Sequence, residues 1–158
     1  LDIPVVGMLE AAILTASQLG GRIGLLTLGE RMLPIYQERI GATGLGARMV
    51  GWRGIELPEA FAPQPGQAVA NAVTDHVRQM ADEHALDVVV LAGAVLAGYR
   101  AAVQPRVPVP VVDGIEAAAW QAVALGALKP AAHQTGSYAA VRGRVVSGFS
   151  GPLVQRMN

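Results

Sequence analysis

A chain of 158 residues bounds the problem to one domain of ordinary size. Apolar residues supply 52% and charged residues only 15%, a balance that builds a core and excludes a disordered chain. Formal net charge is zero with no basic stripe or acidic tail, so neither nucleic acid nor a membrane surface is the expected partner, whereas near-neutrality favours self-association and a homo-oligomer.

In chain order, Ile3–Val6 is a β-branched run read as a strand, and the alanine-rich helix after it ends at Leu19-Gly20, with glycine as the cap. Arg22–Thr27 follows a Gly-Gly turn and reads as a strand. Glu30–Ile40 reads as a helix, with Pro34 in or near its tolerant first turn. The Gly41–Gly46 run resembles a dinucleotide fingerprint. It precedes the strand Ala47–Trp52 instead of opening a helix after one, so it is read as a turn. Leu57–Gly66 carries three prolines and is a loop. Gln67–His84 places Val69, Val73, Val77 and Met80 on one helical face. Asp87–Ala92 has the unbroken apolar character of a central parallel strand. Helix Val95–Val103, strand Val109–Val112 and helix Gly114–Ala124 complete the alternation, and the tail Lys129–Asn158 has no clear long helix.

Strands alternating with helices predict an α/β fold: a parallel sheet with helices on both faces, a flavodoxin-like three-layer arrangement. Ligands of such sheets bind at the carboxyl ends of the strands, here the turns Gly7–Leu9, Thr27–Glu30, Ala92–Leu96 and Asp113–Gly114. The longest apolar run, Val88–Val95, falls short of the roughly 18 residues of a membrane span. A cytoplasmic location is the default expectation. The absence of cysteine excludes disulfides, thiolate metal sites and cysteine nucleophiles. No His, Asp or Glu set has metal-ligand spacing, and neither metal nor cofactor is expected.

The chain also repeats itself. Ile3–Ala12 and Val109–Ala118 align without a gap, sharing Pro, Val-Val and Glu-Ala-Ala, and the match extends to Leu19-Gly20 and Leu125-Gly126. Each segment reads as the last strand–helix unit of one half of a two-lobe protein. Residues 1–20 are then the end of a first lobe that is otherwise absent, 21–126 a second lobe, and 127–158 a tail expected to pack back toward the first. The initial Leu1 fits a fragment.

Several stretches resemble the aspartate/glutamate/hydantoin racemase superfamily: Pro4–Ala12, Leu25–Thr27, Val88–Gly98, Pro110–Ala118, Thr135–Ala139 and Ser147–Leu153. The resemblance implies two α/β lobes about a pseudo-twofold axis, this chain being the C-terminal lobe, with the site in the cleft between them. It implies a cofactor-independent isomerase that moves the α-proton of a small carboxylate or hydantoin-like ligand, with two cysteines as the acid/base pair. One of these belongs to the absent region. The other corresponds to Gly93, and glycine can neither take nor give a proton. The catalytic groups are therefore unknown. A non-catalytic small-carboxylate-binding protein and a decarboxylase or lyase of the same fold stand as alternatives.

Thr27, Gly93 and Ala94 are candidates to hold a carboxylate, through backbone NH groups and close approach; tight packing of the sheet is the other reason for small residues at 93 and 94. Asp113 joins the candidate site list, with a helix N-cap as its plainer role. Glu10 and Glu116 occupy equivalent first-turn positions and suit the helix dipole. His76, His84 and His133 are read as surface or packing residues, and Trp52 and Trp120 as core or interface residues.

Overall fold

Four segments become the strands of one parallel sheet. β1 (Ile23–Leu28) is flanked by β2 (Met49–Ile55) and β3 (Val88–Ala92), and β4 (Val111–Asp113) lies beyond β3, giving the order β2-β1-β3-β4. Thr27 stands opposite Ala92, and Val90 opposite Val112. Between the strands run α2 (Leu33–Ala42), α3 (Gln67–His84) and the short α4 (Arg100–Val103), while α1 (Met8–Leu19) precedes β1 and α5 (Gly114–Leu128) follows β4. The computed structural model describes residues 3–57, 60 and 66–139.

β1 and β3 are buried on both faces, as their apolar runs require. On one face, the Val69, Val73, Val77 and Met80 stripe of α3 packs with Leu26, Val89, Leu91 and Leu96. On the other, Ala11, Ala12, Ile13 and Ala16 of α1 pack with Tyr36 and Ile40 of α2, and with Leu25, Val88 and Val90. The layers are thus helix, sheet, helix. At the amino end of the sheet, Asp87 Oδ2 accepts the Gly21 and Arg22 NH groups, and Arg22 donates to the His84 and Ala85 carbonyls that end α3. Ala85 closes that helix in the left-handed region, φ 47°.

Three expectations are corrected. Ile3–Val6 pairs with no strand among the described residues, so its β-branched character lacks the neighbour that a ladder needs. Val95–Val103 is not one helix: a 3-10 turn at Ala94–Leu96 and α4 are separated by Gly98, held at φ 84°. The strand read at Ala47–Trp52 starts two residues later and runs to Ile55.

The chain divides into two units, Val5–Ala124 and a second formed by Leu1–Pro4 with Leu125–Asn158. In the second, the His133 and Tyr138 rings lie 5.6 Å apart. The Ser147–Leu153 stretch lies outside the described residues.

Within Val5–Ala124, α1 and α5 run side by side in the same direction, and residues at equivalent repeat positions touch. Gln121 Nε2 donates to Thr15 Oγ1 at 3.1 Å, across 106 positions. One heptad earlier, a Cβ on Gly114 would lie 3.0 Å from Cγ of Met8, again its repeat equivalent.

Candidate functional site

A doubly wound sheet opens a crevice where the strand order reverses, because successive connections there leave in opposite directions. In the order β2-β1-β3-β4 the reversal falls between β1 and β3. The carboxyl ends of those strands carry Thr27 and, just past Ala92, Gly93. Two of the sequence-derived candidates therefore stand side by side at the switch point.

Gly93 takes φ 97° and ψ 139°, a backbone conformation that side-chain-bearing residues rarely adopt. A Cβ built on it would lie 3.5 Å from Tyr36 Oη and 3.9 Å from Thr27 Oγ1. Thr27 is 2% exposed, and among the described residues its hydroxyl makes only a long 3.5 Å contact, to the Leu28 carbonyl. A cavity of about 10 Å³ borders Gly93, lined by Met8, Ala12, Tyr36, Ala92 and Gly114. That is room for about one water, so these residues do not by themselves enclose a ligand-sized cavity. The first turns of α1 and α5 meet there, at Met8 and Gly114.

Asp113 is buried at 4% exposure, with both carboxylate oxygens engaged. Oδ1 accepts the Ile115 and Glu116 NH groups at 2.8 and 3.2 Å, capping α5; Oδ2 accepts the Gly98 NH at 2.6 Å. Its chemistry is to fasten the turn after β3 to the end of β4. Ala94 is exposed on the 3-10 turn beyond Gly93. Glu10 is exposed in the first turn of α1, and Glu116 faces Arg100 at 3.4 Å. Trp52 packs partly buried against the α1 and α2 side of the core, whereas Trp120 is 68% exposed. His76 is partly buried with Nδ1 unpartnered among the described residues; burial first, then the Arg53 charge, lowers its pKa, while Asp75 opposes. It borders a groove of about 440 Å³ with Trp52, Arg53 and Glu56, away from the switch point.

Met8 lies in the Gly7–Leu9 turn that the sequence marked, whereas Tyr36 escaped sequence reasoning. Leu33, Tyr36 and Ile40 recur at helical spacing, so a hydroxyl on the inward face of α2 was visible, but which strand end it would meet was not.

A parallel sheet covered by helices on both faces, with its strand order reversing between β1 and β3, defines the doubly wound α/β class. The particular family follows from comparison. A model of the Asp/Glu/Hydantoin racemase family matches residues 1–122, and the chain belongs to that family. A hydantoin racemase from Rhizobium meliloti is 26% identical over 145 residues, covering 92% of this chain and 60% of the relative. Among solved structures, an allantoin racemase from Pseudomonas fluorescens superposes with a TM-score of 0.82 at 29% identity, over 94% of this chain and 63% of that one. An arylmalonate decarboxylase shares the fold more distantly, with a TM-score of 0.54 at 22% identity. The chain thus spans 60% of the length of that hydantoin racemase and 63% of that allantoin racemase. No helix among the described residues is long and apolar enough to cross a membrane.

Proposed function

We propose that this chain is the C-terminal lobe of a cofactor-independent isomerase that moves the α-proton of a small carboxylate or hydantoin-like compound. The observation that carries the reading is the juxtaposition of Thr27 and Gly93 at the switch point of a racemase-family sheet. The self-contacting pairs Met8–Gly114 and Thr15–Gln121 support a two-lobe architecture in which this site faces another lobe. Thr27 and Gly93 contact the ligand, Ala94 extends the turn beside it, and Asp113 holds that turn in place.

Racemisation requires an acid and a base on opposite faces of a planar carbanion. With no cysteine in 158 residues, thiols of this chain supply neither. The exchanging groups that this chain contributes are therefore oxygen or nitrogen acids, and the facing lobe contributes the others. The same absence supports a second reading, a carboxylate-binding protein without proton transfer.

Full-length protein incubated in D₂O with allantoin, 5-substituted hydantoins and amino acids tests the proposal by NMR. Deuterium entering the α-position supports the isomerase. Saturable binding without exchange supports the binding protein, and release of CO₂ from a malonate-type acid would move the assignment to a decarboxylase. If none of the compounds binds, both carboxylate readings are refuted.

A further inference from the structure

We infer that Tyr36 contacts the substrate: its phenol and the Thr27 hydroxyl form a two-donor cradle for one carbonyl or carboxylate oxygen of a ligand seated over Gly93. The inference rests on the reading above and adds to it a residue and a ligand group.

Three elements bring the cradle together. Tyr36 comes from α2, Thr27 from the end of β1, and Gly93 from the turn after β3. The two oxygens lie 3.5 and 3.9 Å from the point where a side chain of residue 93 would begin. The positive φ of Gly93 aims that direction at the hydroxyls, and the missing Cβ leaves the space between them free. A phenylalanine would fill the Leu33, Tyr36, Ile40 stripe equally well, so packing does not account for the phenol oxygen. Thr27 is almost fully buried, yet the best partner of its hydroxyl is a carbonyl at 3.5 Å. Buried hydroxyls left so poorly matched are uncommon and costly.

The chemistry of the pair selects the ligand group. Two neutral O–H donors, with no cation among the described residues lining the cavity beside Gly93, suit an amide, imide or carboxylate oxygen. When the C–H bond next to that carbonyl breaks, its electron pair delocalises onto this oxygen. Donors already aimed at the oxygen then bind more tightly than in the ground state.

The test uses full-length protein, with allantoin and 5-methylhydantoin as probes and α-proton exchange in D₂O as the readout. Tyr36→Phe keeps the ring in the core and removes only the donor; it should lower kcat/KM by about 10²-fold. Thr27→Val should do likewise from the strand side. The double variant should lose less than the product of the single losses, since both groups serve one oxygen. Thermal melts of each variant serve as the folding control, and either single variant suffices if the other is unstable. Wild-type exchange with both folded variants within threefold of it would overturn the cradle while leaving the proposed reaction standing. If wild type binds a probe without exchange, the same variants should raise its Kd about tenfold, and an unchanged Kd overturns the cradle. If wild type neither exchanges nor binds the probes, the cradle falls together with the proposed function.

Discussion

Replacing Asp113 by asparagine separates a structural carboxylate from a chemical one. In the wild type, one oxygen accepts two NH groups at the start of α5 while the other accepts the Gly98 NH. An asparagine has a single acceptor oxygen, so either the helix cap or the Gly98 bond is lost, and an NH₂ group is turned toward an NH. The NH left without its acceptor belongs to a part-buried hydrogen bond, so its loss costs about 1–2 kcal/mol, and loss of negative charge at a helix start adds about 0.3–1 kcal/mol. The expected destabilisation is about 1–3 kcal/mol. At about 2–4 °C per kcal/mol for a chain of this size, the melting temperature falls by about 2–12 °C. Urea denaturation measures the energy, and amide hydrogen exchange locates it: Gly98 or the first turn of α5 should lose protection first. A loss below about 0.5 kcal/mol with unchanged exchange at Gly98, Ile115 and Glu116 would refute the strut.

Ala85→Gly should stabilise by about 0.5–1 kcal/mol, because alanine sits at φ 47° where glycine is free of strain; a urea midpoint measures the gain. Gly54→Ala should destabilise by about 1–3 kcal/mol, since its Cβ would fall 2.5 Å from the Cα of Glu30, a backbone atom that cannot rotate aside; the same titration reads the loss. His76 has a lowered folded pKa, so below about pH 6.5 the unfolded chain binds more protons and stability drops as pH falls. His76→Gln should make the decline in stability from pH 7 to pH 5 shallower, as followed by melting temperature across that range.

Periodicity made the core legible. The α3 stripe and the unbroken run of β3 each had one packing solution, and both lie where the residues place them. Local pattern misled where a distant group decides the backbone. Val95–Val103 has helix-forming residues, but the Asp113 carboxylate, fifteen positions away, holds the Gly98 NH at a break. Ile3–Val6 has strand character without a strand beside it. The site was half visible for the same reason. Thr27 and Gly93 could be picked out as strand-end residues, whereas their adjacency follows from β1 and β3 being neighbours, a property of strand order that no spacing encodes. Tyr36 enters only once α2 has docked over both.

The seam between α1 and α5 constrains how such a molecule diverges. Where a residue faces its own counterpart, identity is the worst choice: two methionines at 8 and 114 would collide, and two glycines would leave a hole. The chain sets Met8 against Gly114 and Thr15 against Gln121, bulk against bareness and a short acceptor against a long donor. Each contact needs one partner of each kind, so making either helix a copy of the other would break both contacts at once.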